Sequence, residues 1–409
     1  MRGLSARVLA GCAAAAAAIS DARADLLGDF ALQKVLQAST QIFGEFSIAI
    51  SNTSAVAAPY ETWMSTIPDD TPLARLNIPG AHDAATWNYT AATQAALSYA
   101  TRCDGDAPYP AQVYRTQRLS IHSALSAGIR FFDLRFAFDP VDDALVFWHG
   151  AALLSVRSSV EDVLFAFYEW LGSHNSETVL LSFQYEGGTK EGASFDARAQ
   201  AQLVQILTSG AARAYIRQDG GGRLGTLGES RGKVVLLRRF DLDDEDVQAR
   251  LPGLHMGPSL WPDNDKDGFA LVYNETTNAT AYIEDYYEPA DLGNNSTVSE
   301  NVAAKLDAVR AHLEKAANAT ATGDDADAEG GEEGDSLFIT FASAEHNANT
   351  PPVFPETMAL GNGTEVTPDG GVNQQLAAIL RDMQGSRLGI VVLDFFEEPE
   401  DLVGLVIGS

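Results

Sequence analysis

The chain is poor in cationic side chains. It carries 27 Lys and Arg against 56 Asp and Glu in 409 residues, a formal net charge of −29 with a pI near 4.4. Nucleic-acid affinity rests on paired Lys and Arg, so a nucleic-acid partner is excluded, and electrostatic docking on anionic membranes is disfavoured. Cysteine is almost missing: the two are Cys12 and Cys103. Cys12 lies in a segment that reads as removable, so no intramolecular disulfide is expected in the mature chain, and Cys103 reads as a small buried apolar residue. No apolar run approaches the roughly 20 residues needed to span a bilayer, and Leu402–Ser409 is too short for a lipid-anchor tail. HExxH, a Cys/His cluster and G-x-S-x-G are absent. Gly220–Gly225 has no P-loop Lys-Ser/Thr after it. These gaps argue against zincin, serine-hydrolase and nucleotide-binding readings. Asp263–Gly268 begins like a calcium loop, but the twelfth position is Asn274 rather than Glu, so it reads as a turn.

Hydrophobic residues make up 45% and charged residues 20%, an ordinary globular balance. The length suits two average domains or one large α/β barrel. Residues 1–24 read as a signal peptide: Arg2 and Arg7, an apolar run Leu9–Ile19, and an A-x-A site at Ala22-Arg23-Ala24. N-x-S/T sequons at Asn52, Asn88, Asn274, Asn278, Asn294, Asn295, Asn318 and Asn362 fit a secreted glycoprotein. Residues 25–60 read as a lead-in helix and linker, with apolar Leu27, Phe30, Leu32, Val35, Leu36, Ile42 and Phe43 expected to pack on the following domain.

Strong patterning begins at Trp63, and residues 61–409 read as one domain. Eight short β-branched and aromatic runs predict strands: Leu76–His82, Ile129–Phe136, Leu145–His149, Thr178–Phe183, Val234–Phe240, Ala270–Asn274, Leu337–Phe341 and Ile390–Phe395. Helical spacing predicts helices over Val156–His174, Ser194–Arg217, Val298–Ala317 and Val372–Gln384. The alternation points to a single distorted α/β barrel of the TIM (β/α)8 type. No helix fits between the second and third runs, where Asp139-Pro140 stands. Residues 317–335, acidic and glycine-rich, read as a disordered surface loop.

Barrel chemistry sits at the C-terminal ends of strands. Those ends carry His82-Asp83, Asp133 and Arg135 one strand period apart, His149, Arg238-Arg239 and Asp394. Two His, an Arg and several Asp suit acid–base attack on a phosphate: one His takes a proton, the other gives one, and a guanidinium holds the charge. The rival is a cation held by His82, Asp83, His149 and Asp394.

The residues then resemble a known family. Ile78-Pro79-Gly80-Ala81-His82-Asp83, Gly128-Ile129-Arg130-Phe131-Phe132-Asp133-Leu134-Arg135, Trp148-His149-Gly150, Arg231-Gly232-Lys233 leading to Arg238-Arg239-Phe240, Trp261-Pro262-Asp263-Asn264 and Gly389–Phe395 occur in the order and spacing of the X-domain phosphatidylinositol-specific phospholipases C, in their bacterial-type single-domain form. The resemblance runs from about Trp63 to Ile407. It implies a PLC-like phosphodiesterase barrel that cleaves by internal attack and releases a cyclic inositol phosphate. By similarity His82 is the general base oriented by Asp394, and His149 the general acid supported by Asp83. Arg135 holds the phosphate where calcium-dependent relatives bind a metal, with Asp133 beside it. Arg239, Asp285 and Tyr287 meet the inositol.

No cofactor or metal is expected, and the expected partner is a phospholipid, phosphatidylinositol or its glycosylated form, met by a secreted monomer in transient contact with a membrane surface. Three departures stand out. Ala81 and Ala84 replace the Thr and Ser of the bacterial pattern, Gln184-Tyr185 stands where a Lys is usual, and Tyr89–Arg115 has no counterpart, which makes it a candidate lid. Two other readings stay open: a metal-dependent phosphodiesterase for another head group, such as a glycerophosphodiester or a sphingolipid, and an inactive secreted barrel.

Overall fold

The computed structural model describes residues 26–45, 60–99, 109–139, 141–186, 194–218, 222–321 and 336–408. The expected signal peptide, both cysteines, Asn52 and the acidic run 322–335 lie outside the described residues.

Eleven strands form one sheet curled into a barrel. They are β1 (Ile78–Ala81), β2 (Phe131–Asp139), β3 (Ala144–His149), β4 (Ala152–Leu153), β5 (Val179–Tyr185), β6 (Val234–Arg239), β7 (Leu254–His255), β8 (Phe269–Asn274), β9 (Ala279–Glu284), β10 (Leu337–Phe341) and β11 (Ile390–Leu393). The order β7-β6-β5-β2-β1-β11-β10-β9 is parallel at every pairing. β8 pairs antiparallel with β9, and no pairing joins β7 to β8 among the described residues. The barrel is therefore nearly closed rather than complete.

All eight expected strands exist, but the set that makes the barrel differs. Leu145–His149 and Ala270–Asn274 are antiparallel strands of two hairpins. The parallel strands β7 and β9 take their places in the wall. β7 has two residues and leaves no periodicity to read. β9 alternates Ala279, Ala281 and Ile283 inward, and alanine is a weak strand signal. The predicted helix 194–217 is two, Ala197–Leu207 and Gly210–Tyr215, broken at Ser209, which caps the second by accepting from Ala212 N. The helix Val298–Ala321 extends past residue 317, where the loop was expected to begin, through an alanine-rich end.

Strand parity sorts the core. Along β2, β5, β6 and β11, the residues Phe131, Leu180, Val235, Leu237, Ile390 and Val392 fill the barrel interior. Their neighbours Phe132, Leu134, Leu181, Leu236, Val391 and Leu393 face outward into a second layer with the helices. The helix Val160–Ser173 shows why the outer layer forms. Val160, Val163, Leu164, Phe167 and Leu171 are buried at helical spacing, and a capping box of Ser159 and Asp162 starts the helix. Each large side chain taken fully out of water contributes about 1.5–3 kcal/mol. The lead-in helix, residues 26–43, docks only its C-terminal end: Ile42 and Phe43 are buried, whereas Leu27 and Phe30 are exposed.

The second strand departs from β/α regularity in a useful way. β2 runs past the barrel rim to Asp139 and folds back as β3, pairing Phe136 with Phe147. That hairpin returns His149 to the level of the rim, a position that a crossover helix would not supply.

Candidate active site

The interior parity of each strand continues upward into polar side chains. Ile78, Gly80 and His82 share a face of β1 and its extension; so do Phe131, Asp133 and Arg135 of β2, Leu180, Ser182 and Gln184 of β5, and Val235, Leu237 and Arg239 of β6. The same holds for Ala281, Ile283 and Asp285, and for Ile390, Val392 and Asp394. An apolar barrel thus ends in a ring of ionisable groups. They line a cavity of about 660 Å³ that includes His82, Arg135, His149, Arg239, Asp285, Tyr287 and Asp394. Asp83 and Asp133, 2% and 0% exposed, sit behind them.

Arg135 is the centre. Its Nε lies 3.0 Å from Asp83 Oδ1 and 3.2 Å from Asp133 Oδ2, and its Nη2 lies 2.9 Å from His82 Nε2. Glu186 Oε1 is 3.7 Å from Nη1. A guanidinium can only donate, so His82 Nε2 accepts and its ring proton is on Nδ1, which donates to Asp394 Oδ1 at 2.8 Å. His149 has its own orientation: Nδ1 donates to the Tyr114 carbonyl oxygen at 2.7 Å, and Nε2 faces Asp83 Oδ2 at 3.1 Å. The two imidazole rings are 6.3 Å apart, centre to centre.

Electrostatics support that division. Burial, and then the Arg135 charge, hold His82 well below an ordinary histidine pKa, so it stands neutral with its Nε2 lone pair turned to Arg135 Nη2. Burial pushes Asp83 up to about 6, against the pull of Arg135 and His149. Burial, with Asp83 adding, also carries Asp394 well above the usual carboxylate range. Burial pushes Asp133 up too, but Arg135 and Arg239 outweigh it and hold its carboxyl below the usual range. Asp133 links the two arginines, since Arg239 Nη1 is 3.4 Å from its Oδ1.

His82, Asp83 and Asp133 offer ligand atoms within 4.8 Å of one another, a set that fits a metal ion. Arg135 bonds all three, so its guanidinium occupies the focus of that set. His149 and Asp394, the other members of the expected cation rival, do not complete the cluster among the described residues.

The outer wall is built on Trp261. The Arg239 guanidinium stacks 3.7 Å from its ring centre, and its indole N–H donates to Asp285 Oδ2 at 2.9 Å. Tyr287 donates its hydroxyl to Asp263 Oδ1 at 2.7 Å, and Asn264 pairs with the Glu288 backbone at 2.8 and 2.9 Å. Asp263–Gly268 is thus a turn that braces this wall. All nine expected site residues converge here. Sequence reasoning missed Glu186, Trp261 and Tyr114. Trp261 was visible as part of Trp-Pro-Asp-Asn. Tyr114 contributes a carbonyl, which no residue pattern reveals. Gln184 lies across the sheet from both Arg135 and Arg239, and its Oε1 is buried without a hydrogen-bond partner among the described residues.

A barrel mouth with two differently oriented histidines around a half-buried arginine is the architecture of a phosphodiesterase-type barrel, and the known proteins similar to the chain agree. The first is 1-phosphatidylinositol phosphodiesterase of Listeria monocytogenes serovar 1/2a, 31% identical over 181 residues, 43% of this chain and 47% of that one. Human PI-PLC X domain-containing protein 1 is 31% identical over 239 residues, 53% of this chain and 67% of its own. The zebrafish (Danio rerio) PI-PLC X domain-containing protein 3 is 32% identical over 161 residues, 36% of this chain and 47% of its own. The chain belongs to the phosphatidylinositol phospholipase C X-domain family.

In most of these alignments it spans about half the length of the curated relative. No protein-family model matches it. Among solved structures, the phosphatidylinositol-specific phospholipase C of Staphylococcus aureus superposes with a TM-score of 0.60 at 18% identity, over 86% of this chain and 98% of that one. The enzyme from Listeria monocytogenes superposes with a TM-score of 0.53 at 20% identity, over 85% and 97%. These likenesses establish the barrel fold.

Proposed function

We propose that the chain cleaves the phosphodiester of phosphatidylinositol, or of a glycosylated phosphatidylinositol anchor, without a metal ion. The carrying observation is Arg135 bonded at once to His82, Asp83 and Asp133, the position and ligand set a cation would need. A phosphoryl oxygen seats on the guanidinium. A ring hydroxyl attacks phosphorus, and its proton passes to His82 Nε2, whose positive form Asp394 supports. The bond from phosphorus to the glyceryl oxygen breaks, and His149 Nε2, steadied by Asp83, gives that oxygen its proton. The products are a cyclic inositol phosphate and diacylglycerol. Arg239, Asp285 and Tyr287 line the same cavity and would meet the inositol hydroxyls and ring face.

Phosphorus NMR of phosphatidylinositol micelles with excess chelator tests this directly. A cyclic phosphate signal is expected from the wild type and none from His82→Ala. Turnover restored only by added calcium or magnesium would sink the metal-free step. A second reading, a metal-dependent phosphodiesterase for another head group, is favoured by the lack of a Lys near Gln184-Tyr185, where the resembling bacterial pattern has one; turnover of a glycerophosphodiester or sphingolipid alone, lost in chelator, would select it.

The export pattern at residues 1–24 and the sequons support a secreted, glycosylated monomer that meets lipid transiently. Expression in a eukaryotic secretory host should release a protein whose mass falls on deglycosylation and which elutes at monomer size. Retention inside the cell would refute it.

A further inference from the structure

The stretch Tyr114–Gln117 belongs to no strand, yet it grips the ends of two barrel strands and of the hairpin strand β3. At the end of β1, Thr116 Oγ1 lies 3.0 Å from the His82 carbonyl oxygen and 3.2 Å from that of Asp83. Gln117 Nε2 donates to the His82 carbonyl and to the Leu393 carbonyl of β11, both at 2.8 Å. One amide group therefore bridges the strand ends that carry the two members of the His82–Asp394 pair. Beyond β11, Phe395 N–H donates to the Thr116 carbonyl at 2.9 Å. At the end of β3, His149 Nδ1 donates to the Tyr114 carbonyl at 2.7 Å. Thr86 completes the hydroxyl pair, 2.7 Å from Thr116 Oγ1 and 2.9 Å from the Asp83 carbonyl. Thr116 and Gln117 are 0% and 1% exposed.

The strand ends need such a grip. Asp83 and Phe395 both turn through the left-handed region, at φ +39° and +45°. For a residue with a side chain that conformation is strained and persists only where the surroundings over-determine it. At Asp83 the surroundings are Thr116 and Thr86; at Phe395 the Thr116 carbonyl is joined by Asn373, whose Nδ2 donates to the carbonyls of Asp394 and Phe395 at 2.9 and 3.1 Å. Ala81 and Ala84 offer no hydroxyl to the turn at Asp83; Thr86 and Thr116 supply hydroxyls to it.

We propose that Tyr114–Gln117 is a strut that holds the general base and the general acid in register, with Thr116 and Gln117 as positioning residues; this rests on the phosphodiesterase reading above. Thr116 and Gln117 fix the His82–Asp83 peptide, and so the directions of the base ring and of the Asp83 carboxylate. The Tyr114 carbonyl accepts from His149 Nδ1–H and so orients the ring, whose second proton, on Nε2, is the one given to the leaving group. The two grips are two residues apart, so covalent geometry sets their spacing. Tyr89–Arg115, expected as a candidate lid, thus ends in a catalytic support.

The test compares Thr116→Val, which keeps the shape and loses the hydroxyl, with Thr116→Ser, which keeps the hydroxyl. A displacement of about 1 Å at reacting groups costs on the order of 100-fold in rate. Thr116→Val should lower kcat about 10- to 100-fold with KM within about twofold, and Thr116→Ser should recover most of the loss. The same pair is read by 15N NMR of the imidazoles, without substrate. Signals of His82 and His149 should move in Thr116→Val, those of His312 and His346 should not, and Thr116→Ser should match the wild type. Gln117→Met serves the same comparison if Thr116→Val does not fold. Unmoved His82 and His149 signals, or equal effects of Val and Ser, would overturn the strut. Absence of turnover by the wild type would count against the phosphodiesterase reading alone, and the NMR comparison would still decide the strut.

Discussion

Arg135 Nη2 lies 2.9 Å from His82 Nε2, so a permanent cation faces the lone pair of the base. Within hydrogen-bond reach of a guanidinium, an imidazole loses its tendency to take a proton from bulk water. To take one from a substrate hydroxyl, Nε2 exchanges its bond to Arg135 for one to that hydroxyl, as the guanidinium turns to the phosphoryl oxygen. The carboxylates of Asp83 and Asp133 prevent the cation from destabilising its own site.

The first prediction concerns pH. Burial, followed by Arg135, lowers the His82 pKa well below 6.5. The base form therefore persists below that pH, and the acid limb of kcat/KM should lie clearly under 6.5. The sign for stability runs the same way. The unfolded chain takes up this proton from about pH 6.5 downward and the folded chain does not, so His82 withdraws stability as pH falls below 6.5. In Arg135→Met one lowering influence is gone, and His82 should titrate at higher pH by NMR. A His82 titration unchanged in that variant would show that the cation does not set the base.

A second prediction addresses the closed end of the barrel. Arg130 and Glu177 are both 0% exposed and paired at 2.8 Å. Arg130 also donates to the carbonyls of Leu125 and Glu61, at 2.7 and 2.6 Å, and stacks 4.8 Å from the Trp170 ring. Arg130→Met would leave Glu177 buried without its counter-charge. It should cost about 3–5 kcal/mol in urea unfolding, with kcat of the folded fraction unchanged. Arg130→Met combined with Glu177→Leu should recover part of that loss. A single variant as stable as the wild type would show that the pair has no structural weight.

Strand parity explains how much of this was legible in the sequence. His82, Asp133, Arg135, Arg239 and Asp394 each continue the inward parity of an apolar strand, so a period of two places them at the mouth, whereas Asp285 was expected only from the family resemblance. The missing helix at Asp139-Pro140 marked an irregularity, but the expectation kept Leu145–His149 among the barrel strands and did not reach the hairpin that delivers His149. What was not legible follows from partners that carry no side-chain signature. Tyr114 acts through its carbonyl, β7 is two residues long, and β9 presents alanines. Trp261 was visible as a landmark, but only the tertiary structure shows a guanidinium on one face of its ring and a carboxylate at its N–H.

That dual role makes Trp261→Leu the most informative change to the outer wall. Leucine keeps an apolar plug beside Phe341, whose ring lies 6.2 Å from the indole. It removes the stacking surface of Arg239 and the donor to Asp285. Burial already pushes the Asp285 carboxyl upward, and the indole N–H is one of the influences holding it down. Without that N–H the carboxyl should be neutral to higher pH and a weaker acceptor for ring hydroxyls. Neither effect reaches the reacting phosphorus, because Arg135, His82 and His149 keep all their own bonds. KM for phosphatidylinositol should rise about 10-fold and kcat stay within about threefold, the signature of lost uniform binding. A fall in kcat at constant KM would place Trp261 in the chemistry instead of in the head-group wall.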